Sequence, residues 1–368
     1  MDSHYSKRRL DSMPLPLGPV PDSDLDDLHR RLAATRRPRL PQGVGWQRGV
    51  DADFLTDLLG SWRDRYDWRV HETRILRLPW EVVGSGERAL NVVHQRAASP
   101  DAPVVVPLHG WPDSVLRFER VLPLLDDLNV VIPALPGFPF ATELTKPGMG
   151  VDAMASLVAD AMQALGYDRY VVSGGDVGGM VAEQLAVTHP DRVTALHLTN
   201  ISPLHAVFAD RSALDAEELA YLDTVATRQR TEGGYIAEQS TKPHTLAPAL
   251  ADSPTGLAAW IGEKLHSWSD APFEQEDLLT WISAYWFTGT IGTSFTTYVE
   301  SAMPVPYVPT PTVLSVFAHD INPAPRGFAS RFVNVQEFIE HDNGGHFAAW
   351  EQPARYAEDL RRAIALAH

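Results

Sequence analysis

One carboxylate set among glycines is the first place in this sequence where chemistry could be done. The stretch Tyr170-Val171-Val172-Ser173-Gly174-Gly175-Asp176-Val177-Gly178-Gly179-Met180-Val181 opens as a short apolar run with β-branched residues, the pattern of a buried strand. It continues into Met180-Val181-Ala182-Glu183-Gln184-Leu185-Ala186-Val187, a helical pattern that stops before Pro190. A strand that turns straight into a helix strains its central residue, and small neighbours at Gly174, Gly178 and Gly179 let the turn close without a Cβ collision. Asp176 is then pushed out over the end of the sheet, the geometry of a nucleophile elbow with an acid at its apex. A solvated Asp in a glycine-rich turn is the plainer reading. A phosphate-binding loop is not supported: the spacing is not G-x-G-x-x-G, no Gly-Lys-Ser/Thr follows, and an apical acid repels phosphate. The elbow reading requires a base, an acid to orient it and donors for an oxyanion.

His346, in Asp342-Asn343-Gly344-Gly345-His346-Phe347, reads as a loop residue after the last strand and is the candidate base. The order nucleophile, acid, His is that of the α/β-hydrolases. The orienting acid should follow the preceding strand, and Asp320 comes directly after Ser315-Val316-Phe317-Ala318-His319. Asp342, in the same loop as His346, is the rival and reads as a solvated turn residue. Two backbone N–H groups are candidates for the oxyanion hole: Val177, after the nucleophile, and Trp111, in His109-Gly110-Trp111-Pro112. The Trp111–Pro112 bond is also a candidate cis peptide.

A carboxylate nucleophile displaces at an sp³ carbon and leaves an ester, which a His-activated water then hydrolyses. Epoxides and alkyl halides are the natural electrophiles. An epoxide needs an acid for its opening oxygen, a task that suits the protonated hydroxyl of tyrosine. A halide instead wants N–H donors.

The surrounding text reads as elements able to hold these groups. Short buried strands at 102–109, 130–132, 170–174 and 193–199 alternate with helices at 114–125, 151–165 and 180–187, and strands resume at 312–317 and 335–339 before a final helix at 353–367. That is the text of a parallel sheet covered on both faces. Residues 205–304 hold helix-like stretches rich in Trp and Tyr and no strand alternation, and read as a helical lid. Before residue 96, helical patterns begin at Asp22, with Asp22 or Ser23 as cap, and across 51–66, followed by strand-like text at 70–78 and 90–94. Residues 1 to 21 are polar and Pro-rich and read as mobile. The domain reading is therefore an extension over 1–95, a core over 96–204 and 305–368, and a lid over 205–304.

The chain has 368 residues, 44% of them hydrophobic, enough for a sizeable core. Its net charge of −16 argues against nucleic acid and anionic membranes as partners. With no Cys, disulfides and thiolate chemistry are excluded. No signal-peptide pattern and no membrane-length apolar run is read, so the expected location is the cytoplasm. Basic residues are nearly all Arg, which fits a GC-rich bacterial genome.

With these motifs in place, the chain resembles the epoxide hydrolases of the microsomal type from about Pro14 onward. The core carries His109-Gly110-Trp111-Pro112, Gly174-Gly175-Asp176 and Gly344-Gly345-His346-Phe347-Ala348-Ala349. The lid carries Gly233-Gly234-Tyr235, Gln239-Ser240-Thr241-Lys242-Pro243, Asp252-Ser253-Pro254-Thr255-Gly256-Leu257-Ala258-Ala259 and Tyr285-Trp286-Phe287-Thr288-Gly289-Thr290-Ile291. The resemblance implies the α/β-hydrolase fold, Asp176 as nucleophile, His346 as base, Asp320 as orienting acid, and Tyr235 and Tyr298 as the pair that holds the epoxide oxygen. It implies a small-molecule epoxide substrate, a vicinal diol product, and no metal or organic cofactor. It leaves room for a homo-oligomer, and for either detoxification or natural-product biosynthesis as the role. The chain departs from the family pattern at Val177, where many relatives have Trp, at Asp113, where Gly is common, and in lacking the microsomal membrane anchor. A haloalkane dehalogenase on the same fold, or a relative that only binds a ligand, are the alternatives.

Overall fold

The computed structural model describes residues 17–36, 43–301 and 303–367. Its centre is one sheet of eight strands: β1 Trp80–Val83, β2 Leu90–Gln95, β3 Val104–Leu108, β4 Asn129–Pro133, β5 Tyr170–Gly174, β6 Val193–Leu198, β7 Val308–His319 and β8 Val333–Gly345. They lie in the order β1-β2-β4-β3-β5-β6-β7-β8. The pairings β1–β2 and β2–β4 are antiparallel; the pairings from β3–β4 to β7–β8 are parallel. The elbow helix Val177–Thr188 and the C-terminal helix Pro353–Leu366 pack on the central strands, which is why β3 to β6 read as continuous apolar runs and not as alternation.

Among the described residues seven α-helices fall between β6 and β7: Pro203–Phe208, Ala216–Glu232, Gly234–Thr241, Pro243–Asp252, Pro254–Ser267, Gln275–Thr288 and Thr296–Glu300. Ala216–Glu232 starts with a capping box, in which Asp215 accepts from the Glu218 N–H and Glu218 accepts from the Asp215 N–H. The N-terminal helices Asp22–Ala33 and Ala52–Asp64 pack against Pro254–Ser267. Arg31 reaches the carboxylate of Asp252 at 2.8 Å, and the Tyr66 hydroxyl donates to Thr280 at 3.1 Å. Among the described residues no helix is long and apolar enough to cross a membrane.

Four local expectations need correction. Residues 70–78 do not form a strand: Trp68–Leu76 is a helix, started by Asp67, whose side chain accepts the Arg69 N–H. Its buried residues Trp68, His71, Glu72 and Ile75 follow a helical spacing, and Val70, which suggested a strand, is exposed. The helix expected over 114–125 is two 3-10 turns, Val115–Phe118 and Leu122–Leu124; Pro123 would fall in the interior of a continuous helix there, but is tolerated in the first turn of Leu122–Leu124. The first helix starts at Asp22 with no side-chain cap, because its N-cap residue is Pro21, which has no polar side chain; Asp22 pairs with Arg69 instead. The mobility expected up to residue 21 falls mostly on residues outside those described, but Val20 is buried and donates its N–H to Glu72 at 2.6 Å.

Candidate active site

β5 ends at Gly174 and the elbow helix begins at Val177, so two residues make the whole connection. Asp176 takes φ 57° and ψ −132° there, in the region that L-residues avoid. The turn closes because the helix comes close to β3: a Cβ on Gly178 would lie 2.1 Å from the Leu108 carbonyl oxygen. An Asp at a helix N-cap ordinarily turns its carboxylate back onto the helix, but Asp176 makes no such bond. Its Oδ1 accepts the Trp111 backbone N–H at 2.8 Å, and its Oδ2 stands 3.3 Å from Nε2 of His346. The helix N-terminus beneath it favours negative charge. Val177 is the first residue of that helix, so its N–H has no intrahelical acceptor.

Trp111 follows β3, and its bond to Pro112 is cis, as the sequence allowed. The loop lies hard against the elbow: a Cβ on Gly110 would lie 2.4 Å from Asp176 Oδ1.

β8 runs through Asp342 to Gly345, further than expected, so His346 leaves the strand directly and does not share a loop with Asp342. The cause is continued pairing with β7, as far as His319 opposite Gly345. Asp342 is exposed. The buried carboxylate beside the imidazole is that of Asp320, with Oδ1 2.7 Å from His346 Nδ1. Asp320 Oδ1 also accepts the Ile321 N–H at 2.6 Å, and Oδ2 accepts from Asn200 Nδ2 at 3.2 Å. Burial alone would raise the Asp320 carboxyl pKa; His346 and the two N–H donors outweigh it and hold the pKa below the ordinary value. Burial would likewise lower the His346 pKa, but Asp320 and Asp176 outweigh it and raise it to about 9. Nε2 of His346 faces Oδ2 of Asp176 in ion-pair range, so the ring lies between two carboxylates.

Tyr235 and Tyr298 arrive on Gly234–Thr241 and Thr296–Glu300, two helices that pack on each other. Their rings meet edge-on at 6.1 Å, and both flank Trp111: Tyr235 stacks on it at 5.4 Å, and Tyr298 meets it edge-on at 6.1 Å. Trp268 closes the cage, 5.1 Å from the Tyr235 ring and 5.4 Å from the His346 ring. Burial first, then the Asp176 charge, push both tyrosine pKa values above the ordinary 10.0, so both hydroxyls keep their protons. The structure thus brings Asp176, His346, Asp320, Trp111, Tyr235 and Tyr298 to one place, at the carboxyl edge of the sheet. Among the described residues no group of three or more His, Asp or Glu is arranged to hold a metal ion.

Sequence reasoning missed two participants. Asn200, just beyond β6, accepts the Asp176 N–H at 2.9 Å and donates to Asp320, joining nucleophile and acid. Its position at the carboxyl end of the strand beside β5 was the available signal. Trp268 accepts the His346 N–H on its carbonyl at 2.8 Å, and nothing in its sequence context marks it.

Residues 18–118 match the family described as epoxide hydrolase N terminus, and residues 103–242 match the family described as alpha/beta hydrolase fold. An inferred epoxide hydrolase of Stigmatella aurantiaca is 36% identical over 94% of this chain and 83% of its own length. Epoxide hydrolase 1 of Sus scrofa is 28% identical over 94% of this chain and 87% of its own. Among solved structures, the epoxide hydrolase of Aspergillus niger superposes with a TM-score of 0.86 at 29% identity, covering 95% of each chain. The juvenile hormone epoxide hydrolase of the silkworm Bombyx mori superposes with a TM-score of 0.84 at 25% identity, covering 95% of this chain and 93% of its own.

Proposed function

The chain belongs to the epoxide hydrolases of the α/β-hydrolase fold, and we propose that it converts a small-molecule epoxide to a vicinal diol through a covalent ester on Asp176. The observation that carries the reading is the division of labour between the two oxygens of Asp176: Oδ1 is held by the Trp111 N–H while Oδ2 faces His346. Oδ2 attacks a ring carbon, the C–O bond breaks, and Tyr235 and Tyr298 donate to the departing oxygen. Oδ1 becomes the ester carbonyl oxygen. Nε2 of His346 then takes a proton from water, and the resulting hydroxide adds to the ester carbonyl. Charge builds on Oδ1, where the N–H groups of Trp111 and Val177 receive it. Collapse breaks the bond from the ester carbon to Oδ2; the leaving alkoxide takes the proton that His346 held, the proton of the added hydroxyl replaces the one that the tyrosine pair gave to the epoxide oxygen, and Asp176 is again a carboxylate as the diol leaves. Asp320 fixes the ring and stabilises the imidazolium. The aromatic walls of Trp111, Trp268, Tyr235 and Tyr298 suit an apolar substrate. On this reading residues 205–304 form a lid that supplies the acids, 96–204 and 305–368 the core that supplies nucleophile and base, and 1–95 an extension whose helices Asp22–Ala33 and Ala52–Asp64 brace the lid while β1 and β2 join the core sheet.

The test is to trap the ester. A carboxylate needs no base to attack, so His346→Gln should alkylate and stall, and its intact mass should rise by one epoxide. Unmodified His346→Gln after exposure to an epoxide that the parent enzyme turns over would sink the two-step scheme.

A further inference from the structure

Two charged residues outside this set tie its parts together. Asp113 and Arg117 are buried, one helical turn apart, on the stretch that follows Trp111–Pro112, and are paired through Oδ2 and Nη1. Asp113 Oδ1 accepts the Gly110 N–H at 2.7 Å and faces Nδ1 of His109 at 3.6 Å. His109 Nε2 accepts the Leu135 N–H at 3.0 Å, so the ring proton lies on Nδ1, within 3.3 Å of the Gly110 carbonyl. The Asp113 carbonyl accepts the Tyr285 hydroxyl at 3.1 Å. Arg117 turns its other arm, Nη2, to the main-chain carbonyl of His346. A continuous set of hydrogen bonds therefore runs from the peptide before Trp111, through one ion pair, to the backbone of the base.

We propose that the Asp113–Arg117 pair is a positioning device that sets the oxyanion donor Trp111 and the base His346 relative to each other, and that it serves ester hydrolysis more than ring opening. The inference rests on the two-step reading above. A buried ion pair loses so much solvation that an apolar pair would serve stability as well, which points to geometry as what the charges supply. The link to one step follows from where charge moves. In ring opening, negative charge leaves the Asp176 carboxylate, so the Trp111 N–H gains nothing. In hydrolysis, charge builds on Oδ1 while His346 must reach a water, so both ends of the linkage are in use.

The test splits a single turnover into ester formation and ester decay, followed by rapid-quench mass spectrometry, with melting temperature measured alongside. Arg117→Lys keeps a charge opposite Asp113 but lacks the two-armed fork that reaches both Asp113 and the His346 carbonyl. We expect it to melt as the parent does, to form ester within about threefold of the parent rate, and to clear it about tenfold or more slowly. The double variant Asp113→Asn/Arg117→Gln leaves no unpaired buried charge and gives the same readout should Arg117→Lys fail to fold; the same split is expected of it. Ester decay at the parent rate in either folded variant overturns the proposal. So does equal slowing of both steps, the mark of a site loosened in general. If neither the parent nor His346→Gln ever carries an ester, the two-step reading has failed and this inference falls with it.

Discussion

The backbone N–H of Trp111 donates to Oδ1 of Asp176 across 2.8 Å, so one oxygen of that carboxylate is already held where an oxyanion would form. The other oxygen is left to react. This asymmetry suits the nucleophile role proposed for Asp176, because a general base would need no oxyanion donor on its own carboxylate.

The source of the new oxygen in the diol separates the two roles. In a single turnover with enzyme in excess, run in ¹⁸O water, the carbon should receive an oxygen of Asp176 and the label should appear in the peptide that carries it. Labelled diol is expected on later turnovers. Fully labelled diol in the first turnover would remove Asp176 from the nucleophile role.

The titration of His346 should differ between the two halves of the cycle. Folding gives the ring two carboxylate partners and raises its pKa from 6.5 to about 9. The stability that the imidazolium contributes is therefore fully present below about 6.5 and lost as pH rises through about 9. Alkylation cancels the Asp176 charge, one of the causes of the rise, so the ring in the ester should lose its proton more readily. Ester decay needs the neutral ring and should increase with pH to a plateau, with a midpoint below the pKa that NMR gives for His346 in the resting enzyme. A midpoint at or above that pKa would count against His346 as the base.

In the proposed cycle the two tyrosines share one oxygen, so neither should be indispensable alone. Tyr235→Phe or Tyr298→Phe should slow ester formation by about one to three decades, at 1.4 kcal/mol per decade, and the double variant should abolish it. Ester formation at the parent rate in Tyr235→Phe/Tyr298→Phe would show that other groups carry the ring-opening step.

Gly110 has no room for a methyl group, since its Cβ would lie 2.4 Å from Oδ1 and 2.6 Å from Cβ of Asp176. Gly110→Ala should fold and displace the nucleophile, slowing ester formation by roughly a hundredfold, the usual cost of about 1 Å of misplacement. A crystal structure of the variant with Asp176 unmoved, or activity near that of the parent, would contradict this.

The parts of the site that the sequence disclosed are those where local backbone chemistry demands particular residues. The strand–Gly–Asp–Gly–helix text specifies the elbow at Asp176 because few sequences can make that turn, and the order of Asp176, Asp320 and His346 follows the strand ends of β5, β7 and β8. Tyr235 and Tyr298 were out of reach of local pattern, since nothing distinguishes a lid tyrosine on the cavity wall from one in the core; family resemblance supplied them. Asn200 escaped because its role exists only once β5 and β6 lie side by side. Residues 70–78 misled for a related reason: Val70 and Ile75 suggested a strand, while the phase of Trp68, His71, Glu72 and Ile75 against their neighbours made a helix.

Asp176, His346 and Asp320 all issue from strand ends of one sheet, whereas Tyr235 and Tyr298 ride on the helices threaded between β6 and β7. In the proposed cycle, admission and opening of the ring thus belong to an insert joined to the sheet at two points, and clearance of the ester belongs mainly to the sheet. On that reading the two traits can vary in part separately, although Trp268 of the insert holds the His346 backbone N–H. Substitutions in the insert can redraw the range of epoxides accepted while leaving the clearance step intact, so a lineage can change its diet without rebuilding its engine.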